Sequence, residues 1–188
     1  MKKTLALILL LAACRDETVQ AIDPVQLTAD ALDHYCQMNV IEHTGPKAQI
    51  HLEGLPGAPL FFAQVRDAVA YLRMPEQSHR ILVIWVNDMG AEGATWQAPG
   101  DDNWVDARSA LYVIGSSQMG GMGSPELVPF TDRAQAEAFA AAYGGRVVDL
   151  AEVPDSAVIA PEEPAAIAED AEYHERLKAL ADHGKAGG

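Results

Sequence analysis

Ile81-Leu82-Val83-Ile84-Trp85-Val86 is a nearly continuous apolar run. It reads as a strand buried on both faces, and so places a sheet at the centre of the fold. Around it the order is strand, strand, helix, strand. Ala48 to Leu52 alternates as a strand, and Leu60 to Phe62 begins a second. Val65, Ala68, Val69 and Leu72 recur at helical spacing before Pro75 ends the helix. The same order returns downstream. Ala107 to Ile114 and Leu127 to Phe130 read as strands, Ala136, Phe139, Ala140 and Tyr143 as a helix face, and Val147 to Leu150 as a last strand. Gly144-Gly145 stops that second helix. Phe62, Ala68 and Tyr71 match Phe130, Ala136 and Phe139 at one constant offset. The expected architecture is α+β: two small tandem ββαβ units with mixed sheets, at 31–90 and 91–153. A single mixed sheet is the competing arrangement.

The two ends differ from this middle. Met1-Lys2-Lys3, the apolar run Leu5 to Leu11, and Leu11-Ala12-Ala13 leading into Cys14 read as an export signal, 1–13, ending in a lipobox. That run is about half the roughly 20 residues a membrane-spanning helix needs. Cys14 is the expected acylated residue, residues 14–30 the tether, and the periplasmic face of a bacterial membrane the expected location. Arg15 is not the acidic residue of an inner-membrane retention signal, which points to the outer membrane and leaves the leaflet open. At the other end, 154–188 is rich in Pro, Ala and acidic residues and reads as a flexible acidic tail.

Export turns Cys36 into a problem. The chain has two cysteines, and acylation of Cys14 leaves Cys36 unpaired in an oxidising compartment. An inert buried thiol, a bond to another protein, or a metal on the sulfur each answers it. Met38 lies two residues on, so the two sulfurs share one side of an extended segment or loop but not of a helix. A thiolate with a thioether suits Cu(I), whereas structural zinc usually recruits several Cys or His. His34 adds a nitrogen donor if the segment is a regular strand, and His43 is a more distant candidate.

A second source of thioethers is Gly115-Ser116-Ser117-Gln118-Met119-Gly120-Gly121-Met122-Gly123, which reads as a flexible loop. Met119 and Met122 either present sulfur there or fold inward as gap fillers. If the segments meet, Cys36, Met38 and one loop methionine make a site for a monovalent soft ion. The net charge is −14, with 27 acidic against 13 basic residues. That balance makes nucleic acid an improbable partner, because phosphate binding needs a basic footprint.

Asp33-His34-Tyr35-Cys36-Gln37-Met38-Asn39-Val40-Ile41-Glu42-His43 with Gly45-Pro46-Lys47-Ala48-Gln49-Ile50 resembles the signature of the NosL family. Trp104-Val105-Asp106-Ala107, Ala110 to Val113, Met122-Gly123-Ser124-Pro125-Glu126, Phe130 and Gly144-Gly145 extend the resemblance to nearly all of the chain up to Val153. Gln37 departs from it, since many members have glycine there. The resemblance implies a Cu(I) metallochaperone, not an enzyme. It also implies partners: nitrous oxide reductase, whose copper-sulfur centre it supplies, and a dedicated membrane ABC transporter. It places the metal on Cys36, Met38 and Met122, with Met119 outside the match. The family is also similar in fold to part of organomercurial lyases, which keeps a thiol-dependent enzyme as one alternative and a structural adaptor as another. Such lyases use a pair of cysteines and a carboxylate, and only Cys36 is free here.

Overall fold

A computed structural model describes residues 19–75, 77 and 79–159. The apolar run forms β3 (Ile81–Asn87), which lies beside β1 (Ala48–Leu52). On the other edge of β1 runs β2 (Leu60–Phe62), and on the other edge of β3 runs β4 (Trp104–Asp106), giving the order β2-β1-β3-β4. A second sheet has the order β6-β5-β7, from β5 (Leu111–Ile114), β6 (Val128–Phe130) and β7 (Arg146–Asp149). Two helices complete the described elements: α1 (Val65–Arg73) between β2 and β3, and α2 (Arg133–Tyr143) between β6 and β7.

The α+β class holds, but the expected mixed sheets do not. All strand pairs of both sheets are antiparallel. The reason is a count of reversals. From β1 the chain turns back as β2, forward as α1 and back again as β3, so β3 can only oppose β1. A parallel pair would need β2 beside β3, and β1 separates them. The expected strand from Ala107 is also shorter: it begins at Leu111, because 107–109 form a turn that separates it from β4. β4 pairs with β3 although it lies beyond residue 90, where the first unit was expected to end. The sheets share one core: Ala48, Ile50, Phe62 and Ile84 pack in the same cluster as Tyr112, Ile114, Leu127 and Val148.

Local chemistry explains the helices. Val65, Ala68 and Val69 are fully buried on the face that α1 turns to the sheet, whereas Leu72, expected on that face, is exposed. Asp132 caps α2 by accepting the amide of Gln135 at 2.9 Å. Gly144 ends α2 at φ 79°, a conformation glycine adopts without steric cost.

The four-stranded sheet is covered on both faces. Ala48, Ile50 and Leu52 face the shared core, while Gln49 and His51 point the other way and are nonetheless buried. Their cover is the segment expected to be a tether. From Gln20 onward it lies against the sheet, and Leu27, Ala31 and Val40 form a second small core with Phe61 and Trp104. The first residues expected in the tail are packed as well. Val158 is buried in the main core, and Arg73 bonds Asp155 at 2.8 Å and the Val153 carbonyl at 2.7 Å. The signal peptide, Cys14, Arg15 and the chain from 160 lie outside the described residues.

Candidate metal centre

Cys36 sits in a tight turn, not a strand. The amide of Asp33 donates to the Met38 carbonyl at 2.8 Å and that of Gln37 to the Asp33 carbonyl at 3.0 Å, with Leu32 bridged to Asn39 across the base. The turn closes through Gln37 at φ 59°, the one non-glycine with positive φ among the described residues. The place where the chain departs from the family's glycine is thus the place that favours glycine. The Gln37 side chain offsets part of that cost by donating to the carbonyls of Asp33 and His34 at 3.0 and 2.9 Å.

In this turn the Met38 amide points at Cys36 Sγ, 3.4 Å away, and Cys36 is half-buried. His34 does not extend along one face toward the sulfur, as a regular strand would have placed it. Its ring packs among Tyr35, Phe62 and Tyr71 at centroid separations of 5.1, 5.5 and 5.4 Å.

The glycine-rich segment is more ordered than a flexible loop. Met119 is bridged to Pro125, and the Gly120 amide donates to the Ser124 carbonyl at 2.8 Å, forming a small hairpin. Met38, Met119 and Met122 are 53, 45 and 41% exposed, so none fills the core. Gly120 and Gly121 are needed for packing: a Cβ on the first would lie 2.4 Å from Gln64 Oε1, and on the second 2.5 Å from His43 Cβ.

Two adjacent residues at the start of α1 hold the turn and the hairpin. Ala63 donates its amide to Asp33 Oδ2 at 2.7 Å, while Gln64 Oε1 accepts the amide of Met122 at 3.0 Å. Buried Asp33 also accepts the amides of Tyr35 and Cys36 on Oδ1, both at 2.8 Å. Burial raises the Asp33 pKa, but these bonds, from Cys36, Ala63 and Tyr35, together hold it below the ordinary carboxylate range. A carboxylate so committed to amides is an anchor for the turn rather than a free acid or base.

His43 joins the two segments directly. Its Nδ1 lies 3.1 Å from the Gly121 carbonyl. A carbonyl only accepts, so the proton sits on Nδ1, and Nε2 is left as a buried lone-pair nitrogen with no hydrogen-bond partner. That tautomer is the one a metal-binding imidazole adopts when a carbonyl orients it. Among the described residues no group of three or more His, Cys, Asp or Glu converges as a metal site.

Buried charges lie beneath the loops, and the sequence reading missed their role. Lys47 Nζ donates to the carbonyls of His43, Thr44, Gly45 and Ala63 at 2.7 to 3.3 Å. Burial pushes its pKa down to about 8, against Glu126 and Asp33. Glu126 Oε1 accepts the amides of Arg66 and Leu127 at 3.0 and 2.8 Å, so it caps the first turn of α1 from the other half of the chain. Burial pushes its pKa up to about 8, and Oε2 has no hydrogen-bond partner. The available signal was a lone charge abutting an apolar strand, Lys47 before Ala48 and Glu126 before Leu127.

The NosL family model matches residues 24–158. The chain is 56% identical over 177 residues to a copper-binding lipoprotein NosL of Achromobacter cycloclastes, covering 93% of this chain and 91% of that protein. It is 31% identical over 140 residues to the copper-binding lipoprotein NosL of Stutzerimonas stutzeri, covering 74% and 70%. The crystal structure of the copper chaperone NosL from Shewanella denitrificans superposes with a TM-score of 0.65 at 30% identity, covering 71% of this chain and 97% of that one.

Proposed function

The chain belongs to the NosL family, and from that membership we propose that it is a membrane-anchored Cu(I) chaperone supplying copper to the copper-sulfur centre of nitrous oxide reductase. Its relatives are named as copper chaperone and copper-binding lipoprotein, which places it with binding proteins rather than enzymes. Acylated Cys14 anchors it at the periplasmic face, and the dedicated ABC transporter is its membrane partner. Copper is cargo here. Cys36 as thiolate supplies most of the affinity, and Met38 and Met122 complete a soft, low-coordinate site. His43 is the better prepared nitrogen donor than His34.

The observation that supports this reading best is the pair Ala63 and Gln64. Through Asp33 and Met122 they tie the Cys36 turn and the Met122 hairpin to one end of the same sheet. Thioethers need no deprotonation and bind weakly, so they give way when a partner offers another sulfur. Anaerobic titration of the full chain against a competing Cu(I) chelator tests the proposal. About one tight ion and a thiolate-to-metal absorption band are expected, with both lost in Cys36→Ala. Unchanged affinity in that variant refutes the site. Copper content of the reductase in cells carrying Cys36, Met38 and Met122 all replaced by alanine tests the delivery step.

A further inference from the structure

Residues 20–27 run along the outer face of the four-stranded sheet and are held there by six hydrogen bonds from four of their residues. Gln20 Nε2 donates to the Leu52 carbonyl and its Oε1 accepts the Gly54 amide, both at 2.8 Å. Trp85 Nε1 donates to the Ile22 carbonyl at 2.8 Å. Gln49 bonds the backbone of Val25 twice, accepting its amide and donating to its carbonyl, both at 2.8 Å. Leu27 is buried, and its amide donates to the Asp101 carbonyl at 3.1 Å.

The direction of this segment matters. It enters at Leu52 and Gly54, the far end of β1, and passes Gln49 on its way to the Cys36 turn. The base of the turn at Asp33, the Met122 hairpin and Lys47 gather at the Ala48 end, while Tyr35 and His34 lean along α1 onto Met74 and Tyr71. Ala48 and Leu52 are four strand steps apart, about 13 Å.

We infer that residues 20–27 are an orienting strap, which sets the Cys36 and Met122 end of the protein on the side away from the membrane, so that a copper-exchanging partner meets it from the aqueous phase. The inference rests on the anchor at Cys14 proposed above. A tether free through Asp30 would reach up to about 58 Å and leave orientation open. With Gln20 clipped, six Cα-to-Cα steps separate it from Cys14, a limit of about 22 Å. The Leu52 end therefore meets the bilayer with a slack linker, whereas bringing the Ala48 end to it takes up more than half of that limit.

The test uses lipidated full chain in phosphatidylethanolamine and phosphatidylglycerol vesicles that carry a headgroup-linked energy acceptor. One fluorophore sits on Cys36, and another on Glu53→Cys in a Cys36→Ser background. Transfer at least twofold stronger from position 53 is expected. Inserting twelve Gly/Ser residues between Cys14 and Val19, which leaves the sequence from Val19 onward unchanged, should bring the two signals together. Equal transfer with the native linker, or a contrast that survives the insertion, overturns the inference. Hydrogen exchange on lipid-free chain checks the strap alone: the amides of Val25, Leu27 and Gly54 should be protected, and free exchange there sinks the strap even if the anchor holds. Vesicle flotation reports the anchor separately, and a chain that fails to float loses the anchor and this orientation together.

Discussion

Gln64 Oε1 accepts the amide of Met122 across 58 residues of sequence, at 3.0 Å. One residue earlier, the amide of Ala63 is accepted by Asp33, which organises the turn around Cys36. The spatial relation of the proposed copper ligands therefore depends on one dipeptide that carries no ligand itself.

Replacing Gln64 with alanine removes the acceptor for Met122 and the donor to Asp67. A hydrogen bond of this kind contributes about 0.5 to 1.5 kcal/mol. Cu(I) affinity should fall roughly tenfold or less in chelator competition, with the copper-free fold retained by circular dichroism. Affinity equal to the parent protein would show that the hairpin needs no such tie.

Gly121→Ala would place Cβ 2.5 Å from His43 Cβ and 2.9 Å from the Thr44 carbonyl. Backbone cannot swing aside as a flexible side chain does, so the hairpin has to move. The expected cost is about 1 to 3 kcal/mol by urea denaturation, together with a weaker copper complex.

Gln37 at φ 59° allows a paired test of the turn. Gln37→Gly relieves the left-handed conformation, but it forfeits two side-chain bonds and gives the unfolded chain more freedom. The net change should lie within about 0.5 kcal/mol. Gln37→Val, β-branched in the same conformation, should cost about 1 to 2 kcal/mol. Equal stability of the two variants would mean the turn opens freely.

Glu126 and Lys47 predict an uncommon pH profile. The folded pKa of Glu126, about 8, lies above its ordinary 4.5, so its contribution is full below 4.5 and is lost as pH rises through 8. Lys47 is depressed from 10.5 to about 8, so stability returns between those values. A minimum near pH 8 follows. Burial holds His51 below its usual range, and stability therefore rises with pH through the region under 6.5, which opposes Glu126 there. The difference between parent and Glu126→Gln isolates the carboxylate. The variant's melting temperature should stay flat from pH 6.5 to 8 where the parent's falls by roughly 5 °C or more.

Much of the fold was legible because it is local. Alternation placed β1 at Ala48–Leu52 to the residue, and the spacing of Val65, Ala68 and Val69 placed α1. That alternation does not say what covers its polar half: Gln49 and His51 are buried beneath residues 20–27. β4 was not among the expected strands, because nothing local says which sheet a three-residue segment joins.

By itself the sequence determined the strand and helix periods and set a cysteine two residues before a methionine. Those follow from side-chain chemistry and from spacings of a few residues. Tertiary structure decided the rest: the antiparallel order, the strap over Gln49, the orientation of His43 Nδ1 toward Gly121, and the burial of Asp33, Lys47 and Glu126. Several depend on partners far apart in the chain, such as Val25 with Gln49, 24 residues apart, and His43 with Gly121, 78 residues apart. A buried charge or amide has to find its partner somewhere, but where the chain returns to supply one is settled only by the packing of the whole.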